Sequence, residues 1–234
     1  MKAPQFVRSK LIPFLALALC GTLALGLAAA PGADPAQAKK ANKYVGAAKC
    51  KNCHSVAENG SQHEAWTKSK HAGAFKTLAS DEAKKLAAAK NIADPQKDDG
   101  CVKCHVTGFG LADDQFAKGF DKTAGVQCET CHGPGEAHMK ARLAAAASEE
   151  NADPTKRKTV PEGEIISKVE AKACQACHND QSPSFKPFCF HKRVAEIAHY
   201  DPRSGHKPEA KLTACPCEDT CECRKAECKD LPKK

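Results

Sequence analysis

The chain has 234 residues and a formal net charge of +8, with 41% hydrophobic but only 5% aromatic residues. Its length suits one domain with a loose tail, and its few aromatic residues predict a thin apolar core. The basic residues form no block interleaved with aromatic residues. The composition therefore gives nucleic-acid binding little support and favours an acidic protein partner or an anionic surface.

The first 38 residues predict a signal peptide. Lys2, Arg8 and Lys10 precede an apolar run over residues 11–30, and residues 36–38 read Ala-Gln-Ala, the form that signal peptidase cuts. An uncleaved membrane anchor is the alternative, because about 20 apolar residues can just span a bilayer. Cleavage would place the mature chain in the periplasm or outside the cell, with a net charge of about +6.

Residues 39–207 predict short helices and long loops. A stripe of side chains from Thr67 through His71 to Leu78 predicts a helix over residues 61–79. A second helix should begin at Ser80 or Asp81, where a capping residue precedes two acids. Further predictions are a loop over residues 91–100, a helix over 136–147, a charged linker over 151–164 and a last helix over 190–200.

Four Cys-x-x-Cys-His motifs are spread unevenly along this region. In such a motif, two thiols can each add to a vinyl group of one porphyrin while the histidine binds the iron from the proximal side. A zinc site, a redox-active thiol pair or a structural disulfide is the alternative for a single motif, but four copies point to heme c. The predicted attachment residues and proximal ligands are Cys50, Cys53 and His54; Cys101, Cys104 and His105; Cys128, Cys131 and His132; and Cys174, Cys177 and His178.

Four covalently attached hemes would supply the core that the aromatic-poor chain lacks. The predicted fold is therefore mostly α, a compact multiheme cytochrome with short helices and long loops around four hemes. Each iron needs a ligand on its other face. Met139 is the one methionine of the mature chain, so at most one heme can have His/Met ligation, and most should be bis-His and low in potential. The candidate histidines are His63, His71, His138, His191, His199 and His206.

Two longer strings extend the second and third motifs. Residues 101–110 read Cys-Val-Lys-Cys-His-Val-Thr-Gly-Phe-Gly, and residues 128–135 read Cys-Glu-Thr-Cys-His-Gly-Pro-Gly. Together with the segment from Trp66 to His71, they resemble the cytochrome c554 family of tetraheme cytochromes over residues 44–205. The resemblance implies a mostly helical fold with hemes packed in close pairs. It also implies electron transport, since the best-known members carry electrons away from a nitrogen-oxidising enzyme.

The resemblance also implies three distal iron ligands. These are His71, which follows the tryptophan; His138, soon after the Gly-Pro-Gly turn; and His199, in the last predicted helix. It further implies that the heme held by His105 can lack a side-chain sixth ligand.

Three other histidines stay open as ligands. His63 lies eight residues before His71, so one helix side can hold both, and solvent exposure is the alternative. His191 shares a predicted helix face with His199, which would let two hemes lie along that helix. His206 follows Ser-Gly in a turn, where exposure is the default.

The sequence thus predicts a tetraheme carrier of electrons between redox proteins, rather than an enzyme. Its basic surface favours partners with acidic docking surfaces, and a membrane contact is expected only if the N-terminal segment is uncleaved. The alternative is a small redox enzyme that acts on hydroxylamine, nitric oxide or nitrite at an open heme held by His105. A third interpretation is a filament in which a spare histidine ligates a heme of a neighbouring subunit.

Residues 208–234 predict a separate Cys-rich, charged tail. An even number of cysteines outside the motifs and the leader favours disulfides in an oxidising compartment. Two Cys-x-Cys pairs also suit zinc or a soft metal. The six cysteines outside the motifs and the leader are Cys189, which precedes the tail, and Cys215, Cys217, Cys221, Cys223 and Cys228 within it.

Overall fold

Short helices make up most of the regular structure. The structure is a computed structural model that describes residues 41–148, 160–161 and 163–204. Its α-helices are α1 (Ala47–His54), α2 (Gln62–Thr67), α3 (Ala74–Thr77), α4 (Asp81–Ala88), α5 (Asp99–His105), α6 (Cys128–His132), α7 (Glu136–Ala146), α8 (Ala171–Gln175) and α9 (Phe190–Ile197). Short 3-10 turns lie at Ala57–Asn59, Asp113–Gln115 and Pro202–Ser204.

In these ranges, β structure is limited to an isolated bridge between Tyr44 and Phe116. The predicted mostly α fold is therefore confirmed. None of the described helices is long and apolar enough to cross a membrane. The predicted signal peptide, most of the predicted linker, His206 and the Cys-rich tail lie outside the described residues.

Local signals located two helices correctly. α4 begins at Asp81, and the hydroxyl of Ser80 accepts a hydrogen bond from the Ala83 amide at 3.2 Å. A serine cap of this kind contributes about 1 kcal/mol. α7 begins at Glu136 and ends at Ala146, one residue before the predicted end.

The predicted helix over residues 61–79 is wrong in its middle. α2 ends at Thr67, α3 begins at Ala74, and His71 lies in the turn between them. The carbonyl of His71 accepts a hydrogen bond from the Val126 amide at 3.0 Å. A tertiary contact therefore takes up a backbone group that a continuous helix would satisfy internally.

A glycine permits this close approach. Gly125 has a φ of +77°, and a Cβ there would lie 2.5 Å from the carbonyl oxygen of His71 and 2.8 Å from that of Ala72. The indole Nε1 of Trp66 donates to the Val126 carbonyl at 2.8 Å. These contacts fix the turn that carries His71 against the segment before α6.

The last helix is shorter than predicted. α9 ends at Ile197, because Ala198 adopts extended backbone with a ψ of 136°. His199 consequently lies beyond the helix, and the predicted shared face with His191 is wrong. The Nδ1 of His199 donates to the Ile197 carbonyl at 3.1 Å.

The apolar core is small, as the composition predicts. Among the described residues, the buried hydrophobic side chains are Val45, Ala47, Leu78, Ala87, Phe116 and Cys189. The Phe116 ring packs on Phe120 and Tyr44, with ring centroids 4.7 Å and 5.9 Å away. Other large apolar side chains are exposed, namely Val56, Leu86, Phe109, Leu143, Ile166 and Phe185.

A buried carboxylate joins the segment before α1 to the start of α7. Glu129 is 2% exposed and lies in α6. Its oxygens accept hydrogen bonds from the amides of Val45 at 2.8 Å, Gly46 at 2.7 Å and Gly135 at 2.7 Å. Because a buried charge is costly unless it is fully hydrogen-bonded, these three donors are what make the position tenable.

Two more buried polar residues extend the connection to the second motif. The side-chain oxygen of Gln127 accepts a hydrogen bond from the backbone amide of Ala47 at 2.8 Å. The backbone amide of Gln127 donates to the Thr107 hydroxyl at 2.7 Å. The same hydroxyl lies 2.7 Å from that of Thr130. Polar contacts therefore fix the first three motif segments relative to one another.

Candidate functional site

Helices present the four motifs in a common way. α1, α5 and α6 each end at the motif histidine, whereas α8 ends at Gln175 and His178 lies in the turn that follows. The His178 amide still donates to the Cys174 carbonyl at 2.9 Å. Because residues three and four apart share a helix face, both thiols and the imidazole of a motif lie on one side.

The motif helices lie next to one another. α6 contacts both α1 and α8. The Cys50 thiol shares a hydrogen bond with Cys128, which raises the pKa of Cys50. Burial, with Cys104 as a neighbour, raises the pKa of Cys177 to about 12. The first motif therefore lies beside the third, and the second beside the fourth.

Three of the four motif histidines face a second imidazole. The second ring in each pair belongs to a predicted distal ligand. The pairs, with the distance between ring centroids, are His54 and His138 (6.1 Å), His178 and His71 (6.1 Å), and His132 and His199 (5.8 Å).

These separations suit two axial ligands on one metal ion. A metal–nitrogen bond to histidine is about 2 Å long, and a ring nitrogen lies about 1 Å from its ring centre, so two opposed imidazoles have centres about 6 Å apart.

The exposed apolar side chains beside the motifs fit the same interpretation. Ile166 is one of them, and its Cδ1 lies 3.6 Å from where a Cβ on Gly133 would be. Macrocycles bound there would cover them.

Acceptors near the rings select the nitrogen that is free to bind a metal. When Nδ1–H donates to an acceptor, the lone pair stays on Nε2. The Nδ1 partners are Ala74 O for His105 (2.6 Å), Ile166 O for His132 (2.6 Å), Ile197 O for His199 (3.1 Å), Glu164 Oε1 for His138 (2.7 Å) and Gln62 Oε1 for His54 (3.4 Å).

Burial keeps several of these rings neutral. It lowers the pKa of His54, His71, His132 and His178 below the ordinary histidine value. The charge that His178 would carry lowers the pKa of His71 further. Neutral imidazole is the form that ligates a metal ion, so the lowered pKa values of these four rings favour ligation.

His105 has different surroundings. Its Nδ1 donates to the Ala74 carbonyl on α3, which packs against α5. None of the histidine rings that the structure describes contacts it. The His63 ring lies 5.4 Å from the Trp66 ring and, among the described side chains, faces no second imidazole. The side chain of His191 and all of His206 lie outside the described structure.

Sequence reasoning missed the polar residues that hold the imidazoles and the motif segments. Glu129 lies inside the third motif, and a charged residue within a helix that must pack closely was the available signal. The sequence predicts that Glu164 lies at the end of a charged linker. No residue between it and His138 indicates that the two meet. Gln62, beside His54, gave no pattern either.

Comparisons with known proteins agree with the motif analysis. Residues 49–133 match the model of the family described as cytochrome c554 and c-prime, and this segment contains the first three motifs. Cytochrome c-554 of Nitrosomonas europaea is 33% identical over 141 residues, which are 58% of this chain and 57% of that protein. The match thus spans little more than half of the relative. No solved structure matches the chain significantly.

Proposed function

We propose that this chain is a tetraheme c-type cytochrome of the cytochrome c554 family that carries electrons between redox proteins. The observation that carries the proposal is the set of three imidazole pairs with ring centroids 5.8–6.1 Å apart. Bound heme c supplies a one-electron iron couple whose potential is set by its axial ligands. The His54, His105, His132 and His178 hemes are those attached at the motifs that contain these histidines.

The proposed axial ligands follow from the pairs. His54, His105, His132 and His178 bind iron from the proximal side. His138 completes the His54 heme, His199 the His132 heme and His71 the His178 heme. Bis-His ligation lacks the thioether that raises a potential, so these three hemes should be low in potential.

The fourth motif lies outside the segment that matches the family, so its role needs support of its own. The ring of His178 is paired with His71 at the same separation as the His54 pair. Cys177 lies beside Cys104 of the second motif. The motif therefore has both a candidate sixth ligand and a neighbouring motif, which supports heme attachment there.

The enzyme alternative at the His105 heme has less support. The comparisons point to a cytochrome, and the described contact of the His105 ring is a backbone carbonyl rather than an acid or a base. Catalysis at an iron also requires proton donors and anion-binding groups around it. Electron transfer is therefore the function that we propose.

A basic edge suits an acidic partner. Lys49 and Lys51 are exposed on α1 beside Cys53, which is also exposed. An edge of the His54 heme close to these lysines would let an acidic redox protein dock there by charge complementarity. The predicted signal peptide over residues 1–38 supports action on the far side of the inner membrane.

Heme counting and turnover test the proposal. The mass of the purified holoprotein should equal the leader-free chain plus four hemes, and a pyridine hemochrome assay should give four hemes per chain. Stopped-flow oxidation by an acidic redox protein should slow as ionic strength rises. Fewer than four hemes, or sustained consumption of hydroxylamine, nitric oxide or nitrite, would overturn it.

A further inference from the structure

A buried carboxylate contacts one of the proposed distal ligands. Glu164 Oε1 lies 2.7 Å from His138 Nδ1, and Glu164 Oε2 lies 2.7 Å from Arg142 Nη2. The side chains of Glu164 and His138 are 8% and 17% exposed, so little water competes for these bonds. His138 and Arg142 are four residues apart on α7, which places both on the face that meets Glu164.

This contact differs in kind from those of the other imidazoles. Among the histidines whose Nδ1 contacts are described, His138 is the one with a carboxylate partner. His105, His132 and His199 donate to backbone carbonyls, and His54 lies near the amide of Gln62. At a similar distance, an anionic acceptor forms a stronger hydrogen bond than a neutral one.

The same segment also contacts the neighbouring heme site. The Ile166 carbonyl accepts from His132 Nδ1 at 2.6 Å, and the Ile166 amide donates to the His132 carbonyl at 3.0 Å. Residues 164–166 therefore touch a ligand of the His54 heme through a carboxylate and a ligand of the His132 heme through a carbonyl. The two proposed bis-His hemes therefore have the same ligand type, but the Nδ1–H groups of His138 and His132 donate to different acceptors.

The acceptor changes how strongly an imidazole donates electrons to iron. A carboxylate that accepts the Nδ1–H raises the basicity of the ring and fixes its orientation. A more basic ligand stabilises ferric over ferrous iron, so the reduction potential falls. Arg142 holds the second carboxylate oxygen, which keeps the first directed at His138 and offsets the cost of burying the charge.

We propose that Glu164 is a positioning residue that orients His138 and lowers the reduction potential of the His54 heme below that of the His132 heme. The inference rests on the proposed ligation of these hemes. Arg142 supports Glu164, and Ile166 supplies the weaker, neutral acceptor to His132. The segment at residues 164–166 thus separates two otherwise similar potentials.

Redox titration of Glu164→Gln holoprotein tests the proposal, with heme spectra followed against applied potential. Loss of the charge should shift the reduction equilibrium of one low-spin heme about tenfold toward the ferrous state, which is about 59 mV for one electron. Glu136→Gln is the matched control. This variant also removes one carboxylate charge, here from α7. Glu136 contacts Lys140 and the Lys43 amide rather than an imidazole, so the redox titration of the variant should match that of the wild type.

Two further variants make the outcome decisive. Glu164→Asp keeps a carboxylate on a shorter side chain, so its potential should lie between those of the wild type and Glu164→Gln. In a His138→Ala background, Glu164→Gln should no longer shift any potential. An unchanged titration for Glu164→Gln, or equal shifts in all hemes, would overturn the inference. If the wild-type holoprotein shows no low-spin bis-His spectra, the proposed ligation itself is overturned.

Discussion

The helices α1 and α5 carry the same Cys-x-x-Cys-His pattern but hold their histidines in different surroundings. The His54 ring faces His138 across 6.1 Å. The His105 ring donates to the Ala74 carbonyl, and no described histidine ring faces it. A motif therefore determines heme attachment and the proximal ligand, whereas the sixth ligand depends on which distant segment the fold brings to the other side.

The three paired sites also differ in how the second histidine is presented. His138 is held on a helix, whereas His71 and His199 lie in non-helical segments. A turn or an extended residue needs external contacts to hold its side chain. The Val126 amide supplies such a contact at His71. The positions of the proposed distal ligands thus depend on tertiary packing rather than on a local pattern.

Removal of a distal histidine should give the largest effect and tests the contrast directly. The oxidised wild type should show three low-spin hemes and one high-spin heme by EPR. Substitution of alanine for His71, His138 or His199 should convert one further heme to high spin, since the iron loses a strong axial ligand. Spin integration of the EPR spectrum measures the conversion.

His63→Ala is the matched control, because the His63 ring contacts Trp66 and faces none of the other imidazoles that the structure describes. Its spectrum should equal that of the wild type. A wild-type spectrum with four low-spin hemes would show that the His105 heme has a sixth ligand, and the contrast between α1 and α5 would then fail. His191→Ala and His206→Ala would identify that ligand.

The sequence predicted the parts of the site that are encoded locally. Three residues at fixed spacing in one motif are enough to propose Cys50, Cys53 and His54 as a heme-binding set. Ser80 followed by acids is enough to predict the start of α4. The break after Thr67 could not be predicted, because the group that causes it is the Val126 amide, far along the chain. Likewise, the resemblance named His71 and His138, while their contacts emerge only from packing.

Loss of the buried Glu129 carboxylate should have a smaller but global effect. Glu129→Ala leaves the amides of Val45, Gly46 and Gly135 without their acceptor, and each unpaired buried donor costs about 1–3 kcal/mol. We expect unfolding to become easier by about 3 kcal/mol or more. The midpoint of urea unfolding of the holoprotein measures this loss.

The control is Asp113→Ala, which removes an exposed carboxylate paired with Lys122 and should leave the midpoint unchanged. Because Glu129 joins the segment before α1 to α6 and α7, its loss should broaden the low-spin signals of the His54 and His132 hemes first. An unchanged midpoint for Glu129→Ala would mean that water replaces the carboxylate at these amides. Equal broadening of the signal of the His105 heme would contradict the expectation that the contacts of Glu129 act on the His54 and His132 hemes first.

The smallest expected effect distinguishes the three paired sites from one another. The ring planes of His54 and His138 lie 28° apart, whereas the other two pairs cross at 61° and 66°. Nearly parallel imidazoles split two iron d orbitals strongly and give a rhombic low-spin EPR signal, whereas crossed rings leave these orbitals close in energy and give a signal at higher g. We expect one rhombic signal and two of the second kind in the oxidised wild type. Glu164→Gln should alter the rhombic signal alone, since Glu164 holds the His138 ring, and three alike signals would contradict these ring orientations.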